Sequence, residues 1–153
     1  WYDNLKLLDL LSNKLQGALP DGLGNLKQLV VMKLQMNNLS AYIPNSFSNM
    51  KKLEICKAKW KDSSSISSMQ SLLTLALGIN ELTGLQELPS SMGTLSNLVF
   101  LDLSDSNLSG QVPSCKPAKF IILFLSYNQL SGPLPDFPRW VMLNLSRNPG
   151  LKK

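Results

Sequence analysis

The sequence lacks histidine entirely, and its 153 residues include only two cysteines. Without histidine, catalytic sites of the Ser-His-Asp type and most zinc sites are excluded. The carboxylates are scattered along the chain, and no pair has a sequence context that is typical of glycoside hydrolysis. We therefore expect this chain to have no enzymatic activity and no bound metal ion or cofactor.

Aromatic residues are also scarce, at 7% of the chain, whereas hydrophobic residues make up 44%. These proportions fit a core that is built mainly from leucine. No stretch is long and apolar enough to span a membrane, and none resembles a signal peptide. The chain opens on Trp1-Tyr2-Asp3-Asn4, inside a repeating pattern rather than before it. We therefore expect either a fragment of a longer protein or a truncated gene product.

A pattern of leucine, asparagine, glycine and proline recurs along the chain. Its first copy is LKLLDLLSNKLQGALP, from Leu5 to Pro20. The copies begin near Leu5, Leu29, Leu53, Leu72, Leu98, Phe120 and Trp140. A repeat of this size is the sequence signature of a solenoid. We predict one repeat domain over residues 1–153, with six to seven repeats.

Each repeat is expected to contribute one short strand and one turn. In Leu-x-x-Leu-x-Leu, the second and third leucines lie two residues apart and so face the same side of a strand. After the strand, Gly17 allows a tight bend and Pro20 stops strand continuation. Short helical or 3₁₀ turns are predicted at Gly22–Leu26 and Phe47–Met50, on the outer side. The predicted fold is an α/β solenoid, a right-handed superhelix with a parallel β-sheet on its concave face.

An asparagine follows the strand in most repeats. Its side chain can satisfy backbone groups where the chain leaves the sheet, and each such bond contributes about 0.5–1.5 kcal/mol. The predicted structural asparagines are Asn13, Asn37, Asn80, Asn128 and Asn148. Each fully buried leucine contributes roughly 1.5–3 kcal/mol. We therefore expect leucine packing to dominate stability and the asparagines to set the shape.

The third repeat is irregular from about residue 57 to 69. Lys61 takes the asparagine position there, and the polar run KDSSSISS is typical of a loop. Such a break is either an insertion used for binding or decay of the repeat, and decay is the favoured interpretation. Cys56 takes a strand position that other repeats fill with leucine or methionine, so it is predicted to be a buried thiol. A bridge from Cys56 to the loop residue Cys115 is geometrically unfavourable.

The same repeat carries a cluster of lysines. Its members are Lys51, Lys52, Lys57, Lys59 and Lys61, offset by Glu54 and Asp62. Such a cluster either lies in a solvated turn, which we favour, or attracts nucleic acid, an acidic polysaccharide or a phosphate-bearing ligand.

The spacing Leu-x-x-Leu-x-Leu-x-x-Asn-x-Leu-x-Gly-x-(Ile/Leu/Val)-Pro resembles the plant-type leucine-rich repeat. It is carried by Gly17-x-Leu19-Pro20, Gly110-x-Val112-Pro113, Gly132-x-Leu134-Pro135 and Ile43-Pro44. Such repeats occur in ectodomains of plant receptor-like kinases and receptor-like proteins, and in secreted inhibitors of polygalacturonases. The resemblance implies an extracellular recognition domain of a plant protein. It implies no kinase in this chain, since Val-Ala-x-Lys and His-Arg-Asp motifs are missing.

The concave sheet of a solenoid is its usual binding surface. One outward column, apolar at six of seven positions, reads Leu7, Val31, Ile55, Thr74, Phe100, Ile122 and Met142. An exposed apolar stripe suggests a contact surface, although such side chains also pack on one another along a sheet. The predicted partner-binding residues are Val31, Lys33, Ile55, Lys57, Lys59, Trp60, Phe100, Asp102, Ile122, Phe124 and Tyr127.

Three sequons predict possible N-glycosylation, at Asn38, Asn107 and Asn144. The first two arise from the repeat itself. A glycan on Asn144 would lie on the concave face, so we predict that Asn144 is unmodified or that the ligand binds elsewhere.

The leading hypothesis is a module of a plant cell-surface receptor ectodomain that binds a peptide, a glycan or a co-receptor on its concave face. No nucleic acid is expected as a partner, and the expected location is extracellular, on a plasma-membrane protein with a signalling role. A kinase is possible only in the full-length parent. One alternative is a secreted inhibitor of a cell-wall hydrolase. Another is a structural repeat protein that acts as a scaffold.

Overall fold

A computed structural model of the chain describes residues 2–39, 43–57, 66–76, 88, 90–114, 119 and 121–152. Within these ranges the chain forms short strands that are separated by turns and by 3₁₀ helices. The strands are β1 (Leu7–Asp9), β2 (Gln16–Gly17), β3 (Val31–Lys33), β4 (Asn38–Leu39), β5 (Ile55–Lys57), β6 (Thr74–Ala76), β7 (Phe100–Asp102), β8 (Ser109–Gln111), β9 (Ile122–Phe124), β10 (Gln129–Pro133), β11 (Met142–Asn144) and β12 (Gly150–Lys152).

One long parallel sheet runs through the molecule. In the part of the chain that the structure describes, it has seven strands in the order β1-β3-β5-β6-β7-β9-β11. The pairing keeps a constant register, for example Met32 opposite Cys56 and Cys56 opposite Leu75. Each strand is therefore the same segment of successive repeats. This arrangement confirms the predicted leucine-rich repeat solenoid.

The middle residue of each inner strand of the main sheet points into the core. Met32, Cys56 and Leu75 are fully buried, and Leu101 and Leu123 are each 4% exposed. Burial of a leucine-sized side chain contributes roughly 1.5–3 kcal/mol, so this internal stack is a main source of stability. The predicted burial of Cys56 is confirmed, and desolvation raises the pKa of its thiol to about 12.

Short 3₁₀ helices close the outer side of the core. In the described ranges they span Asp21–Asn25, Asn45–Asn49, Ile66–Ser68 and Ser90–Thr94. A proline with φ near −60° to −70° precedes each of the first two helices, because its fixed φ suits the entry to a helical turn. Gly24 is buried against the next helix, where an added Cβ atom would clash with the backbone carbonyl of Ser46.

Within several repeats a second short strand follows the strand of the main sheet, at a place where the sequence predicted only a bend. β2 pairs with β4, and β8, β10 and β12 form a three-stranded sheet among the described residues. Gly17, Gly110 and Gly132 lie in these strands with φ of 79°, 77° and 83°. This left-handed region is open to glycine at little cost. The glycines thus turn the chain sharply while its backbone still pairs with the neighbouring repeat.

The two end repeats expose positions that the inner repeats bury. Leu143, in β11, is 38% exposed, whereas Leu123 in the equivalent position of β9 is 4% exposed. Trp140 is 73% exposed, whereas Leu53 in its equivalent position is 1% exposed. The inner repeats therefore hold the well-packed part of the core.

Candidate binding surface

The outward residues of the main sheet form columns across the repeats. In the first column Val31, Thr74, Phe100 and Ile122 are partly exposed, and Met142 is 59% exposed. Neighbouring members stand directly opposite one another, as in the pairs Thr74–Phe100 and Phe100–Ile122. The named members therefore follow one another in register across the repeats, and each is at least partly exposed to solvent. Ile55 belongs to this column by its place in β5.

An aromatic pair lies at the centre of the C-terminal half of this face. The ring centres of Phe100 and Phe124 are 5.8 Å apart, and the ring planes make an angle of 74°, which is an edge-to-face arrangement. Such pairs contribute about 0.5–1.5 kcal/mol beyond the area that they bury. Ile122 stands opposite Phe100 in the neighbouring strand and two residues before Phe124 in its own strand, and with the two rings it forms what we call the aromatic patch. The edge-to-face contact orients the two rings relative to each other.

Charged groups on the concave face are partly compensated by their neighbours. Lys33 Nζ donates a hydrogen bond to Asp9 Oδ2 at 3.0 Å, and this bond lowers the pKa of the Asp9 carboxyl below its ordinary value. Asp102 Oδ1 accepts hydrogen bonds from the backbone N–H and the hydroxyl of Ser104, at 3.0 and 2.7 Å. The side chains of Lys33 and Asp102, both predicted partner-binding residues, are thus oriented by hydrogen bonds to Asp9 and Ser104. Lys57 lies in β5.

The asparagine side chains bind the backbone of two successive repeats. Asn128 Nδ2 donates to the carbonyls of Leu103 and Leu125, both at 2.9 Å, and Asn128 Oδ1 accepts from the backbone N–H groups of Ser106 and Leu108. Because Leu103 belongs to the preceding repeat, the amide joins neighbouring repeats. The backbone polar groups at this turn are satisfied as buried groups require.

Asn37 and Asn148 repeat this arrangement at other turns. Asn37 Nδ2 donates to the Leu10 carbonyl at 2.8 Å, and Asn148 Nδ2 donates to the Leu125 carbonyl at 2.9 Å. Asn13, in the first repeat, is exposed and bonds only to carbonyls of its own turn. Asn37, Asn128 and Asn148 therefore each donate a hydrogen bond to a backbone carbonyl of the preceding repeat.

In the five repeats whose turn after the strand is described, the residue before the asparagine position adopts a left-handed conformation, which the sequence did not predict. These residues, all with φ between 52° and 60°, are Ser12, Met36, Asp105, Tyr127 and Arg147. Such φ values are uncommon outside glycine, asparagine and aspartate. The only feature of the sequence that could have predicted this conformation is the position of the residue, directly before the asparagine position of the repeat. Side chains at this position leave the backbone at the rim of the concave sheet.

Tyr127, predicted as a partner-binding residue, lies on this rim and is 60% exposed. The guanidinium carbon of Arg147 lies 6.0 Å from the centre of the Tyr127 ring, within the range of a cation–π contact. The backbone N–H of Tyr127 donates to the Ser146 carbonyl at 2.9 Å. The tyrosine is therefore fixed at its backbone and presents its ring to solvent beside a cation.

The three sequon asparagines are exposed. Asn38 lies in β4, and the side-chain oxygen of Asn107 accepts a hydrogen bond from Gln129 Nε2 at 2.6 Å. Asn144 lies in β11 on the concave face, where its Oδ1 accepts from the Ser146 hydroxyl at 2.9 Å. A glycan on Asn144 would stand beside the aromatic patch.

Several predicted features lie outside the described residues. These are residues 58–65 of the irregular third repeat, which include Lys59, Trp60 and Lys61, the structural position Asn80, and Cys115; of Ile55 and Lys57 only the position in β5 is described. Across the described ranges, no group of three or more His, Cys, Asp or Glu side chains is placed to hold a metal ion. Over the same ranges, no helix has the length and apolar character that crossing a membrane requires.

The family follows from the repeat geometry and from a comparison with known proteins. A family model described as Leucine Rich Repeat matches residues 4–26 and 97–115. The chain is a leucine-rich repeat protein. Its sequence is 33% identical over 131 residues to Receptor-like protein 32 of Arabidopsis thaliana, a match that covers 84% of this chain and 13% of that protein. The chain thus spans about an eighth of the length of this relative.

Solved structures of other leucine-rich repeat proteins resemble the whole chain. The ectodomain of the Arabidopsis receptor kinase HAESA, solved with the peptide hormone IDA and the co-receptor SERK1, is 27% identical with a TM-score of 0.81. This match covers 94% of our leucine-rich repeat chain and 25% of that ectodomain. A leucine-rich repeat protein of Leptospira interrogans gives 26% identity and a TM-score of 0.80 over 95% of this chain and 38% of its own. The fold is therefore shared by plant and bacterial proteins.

Proposed function

We propose that this chain is a recognition module that binds a peptide or protein segment on its concave sheet. We further propose that it belongs to the extracellular ectodomain of a plant receptor-like protein. The observation that carries the proposal is the aromatic patch, in which Phe100, Ile122 and Phe124 remain partly exposed in the C-terminal half of the main parallel sheet. Partly exposed aromatic residues on a solvent-facing sheet are the side chains from which binding hot spots are built.

The patch has the physical properties of a preformed contact surface. Each ring already has one face or edge covered by a neighbour, so little side-chain entropy remains to be lost when a ligand binds. Burial of the remaining apolar area contributes roughly 25 cal/mol per Å². The adjacent Asp102 carboxylate is already hydrogen-bonded to Ser104, so a ligand that covers it does not leave it without partners.

The relatives support the class of ligand. The HAESA ectodomain, to which this chain is similar over 94% of its length, was solved with a peptide hormone and a co-receptor. The plant receptor RGFR1, 28% identical with a TM-score of 0.72, was solved with RGF2 as a plant peptide hormone receptor. By similarity to these proteins, we propose a peptide as the ligand class. The proposed contact residues remain Val31, Lys33, Ile55, Lys57, Lys59, Trp60, Phe100, Asp102, Ile122, Phe124 and Tyr127.

Selection of a peptide library on the immobilised chain tests this function. A phage-displayed library of random dodecapeptides should yield enriched sequences on the wild-type chain, and Phe124→Ser should lower their affinity about tenfold or more because it removes one ring of the patch. Trp140→Ser is the matched control, since Trp140 is 73% exposed but lies before β11 and outside the concave columns. Equal loss of binding in both variants would indicate general hydrophobic adhesion, and no enrichment on the wild type would refute the proposal.

A further inference from the structure

Three residues of the rim form a row with a negative charge at one end and a positive charge at the other. Asp105, Tyr127 and Arg147 occupy the same left-handed position in three successive repeats, and all three are exposed. The row therefore reads anion, aromatic ring, cation along the axis of the solenoid. We call this row the charged rim. It borders the aromatic patch because its members follow β7, β9 and β11, whose outward residues form that face.

The two charges of the charged rim are free to meet a ligand. Among the described residues, neither Asp105 nor Arg147 has an ion-pair partner, whereas Lys33 and Asp9 neutralise each other at 3.0 Å. The guanidinium of Arg147 is oriented by the Tyr127 ring, 6.0 Å from its centre. A cation above an aromatic face keeps its N–H groups available as donors to a carboxylate. Arg147 is thus positioned without being neutralised.

The backbone holds these side chains at fixed points. The N–H groups of Asp105 and Tyr127 donate to carbonyls of the following repeat, each at 2.9 Å. Amides of Asn128 and Asn148 fix the chain directly after Tyr127 and Arg147. A left-handed conformation costs a non-glycine residue on the order of 1–2 kcal/mol, and it recurs at the equivalent position of the first two repeats, at Ser12 and Met36. None of the three is glycine, although glycine would adopt this conformation without cost.

The spacing of the row fits a particular kind of peptide. Adjacent strands of a sheet are about 4.8 Å apart, so Asp105 and Arg147 leave the backbone roughly 10 Å apart. An extended peptide in the polyproline II conformation has three residues per turn and a rise of about 3.1 Å, so its residues i and i+3 lie on one side about 9 Å apart. A basic side chain at one of these positions and an acidic side chain at the other match the row.

We propose that the charged rim selects peptides that carry one basic and one acidic residue three positions apart, with the acidic group bound by Arg147 and the basic group by Asp105. This inference rests on the proposed function, because it names the class of peptide that the concave face binds. Apolar residues of the same peptide contact the aromatic patch. The opposite charges at the two ends of the row also fix the direction in which a given peptide lies along the solenoid.

The random dodecapeptide library, selected in parallel on the wild-type chain and on Arg147→Glu, tests the inference. Peptides enriched on the wild type should contain the basic–acidic pair at i and i+3, in either order, more often than the starting library. On Arg147→Glu, where both ends of the row are negative, the enriched peptides should carry basic residues at both positions. A peptide that was selected on the wild-type chain should bind Arg147→Glu about twofold to thirtyfold more weakly. The reason is that an exposed attraction between opposite charges becomes a repulsion of similar size.

The matched control is Arg139→Glu, which makes the same change of charge at an exposed residue in the turn before β11. It should leave the wild-type preference unchanged, and an equal shift would show that only net charge matters. Enrichment without any charge pattern would overturn the charged rim while leaving the proposed function standing, whereas no enrichment would overturn both. Polygalacturonate that binds more weakly to Arg147→Glu and more tightly to Asp105→Asn would instead assign the row to an acidic polysaccharide and overturn the inference.

Discussion

Truncation of the buried asparagine Asn128 to alanine is expected to destabilise the solenoid severely. The side chain is 5% exposed, and its oxygen accepts hydrogen bonds from the N–H groups of Ser106 and Leu108 at 3.1 and 2.9 Å. Its nitrogen donates to carbonyls that include that of Leu103 at 2.9 Å. In the variant, the two N–H donors and the Leu103 carbonyl lose these partners, whereas the Leu125 and Ser126 carbonyls, which also accept from Asn128, keep bonds from Asn148 and Asp105.

The magnitude follows from the number of groups that lose a partner. Each unsatisfied buried group costs about 1–3 kcal/mol, and water that enters the space left by the amide offsets part of this cost. We expect a loss of about 3–5 kcal/mol in the free energy of unfolding. Since whole domains are stable by only about 5–15 kcal/mol, Asn128→Ala should remove a large fraction of the total.

Asn13→Ala provides the matched control, because Asn13 is exposed and bonds only to two carbonyls of its own turn. It should cost about 1 kcal/mol or less. Equilibrium urea denaturation followed by far-UV circular dichroism measures both variants, and with a slope of about 2 kcal/mol per M the Asn128 variant should unfold roughly 1.5–2.5 M earlier. If the two variants lost equal stability, the reasoning that links repeats through buried amides would be wrong.

Three further predictions concern the core and the concave face. Gly24→Ala should lower stability by about 1–3 kcal/mol in the same urea assay, because its methyl group meets the backbone of the neighbouring 3₁₀ helix, whereas Gly22→Ala has open space and should cost much less. Cys56 should resist alkylation at pH 8 in the folded chain, since burial raises the pKa of its thiol to about 12; mass spectrometry should find it modified only after unfolding, and rapid native modification would contradict its burial. The raised pKa also means that its contribution to stability is present below pH 9 and declines as the pH rises towards 12. Lys33→Met should raise the pKa of the Asp9 carboxyl towards its ordinary value in an NMR titration, because the Lys33 hydrogen bond is the largest cause of its lowering; an unchanged pKa would show that the ion pair does not persist in solution.

The main sheet and the core were predictable because they depend on local spacing. Leucines two residues apart share one side of a strand whatever the rest of the chain does, so the position of Cys56 among them was enough to predict its burial. A 3₁₀ turn was likewise expected at Phe47–Met50, and the structure has a 3₁₀ helix at Asn45–Asn49, which begins two residues earlier, directly after Pro44. In both cases the residue types that decide the structure lie within one repeat.

The second row of strands and the left-handed rim depend on contacts between repeats. A strand of two residues such as β2 is too short to show an alternating pattern, and it exists only because β4 lies beside it in register. The left-handed conformation of Tyr127 is equally invisible in its residue type, since tyrosine rarely adopts it. It is imposed by the hydrogen bonds of the backbone to the next repeat and of Asn128 directly after it.

The buried amides and the exposed rim are therefore parts of one arrangement. Asn128 reaches back to Leu103 and Asn148 reaches back to Leu125, each joining its repeat to the one before. The residue before each amide has no freedom to relax to an ordinary conformation without breaking these bonds. Substitutions on the rim would therefore change which ligand the surface prefers. The distance between neighbouring rim side chains would stay the same, at about the spacing of adjacent strands. If the face binds a peptide as proposed, its specificity would depend on which side chains stand at these fixed points, whereas the buried amides of Asn128 and Asn148 would fix the points without contacting the ligand.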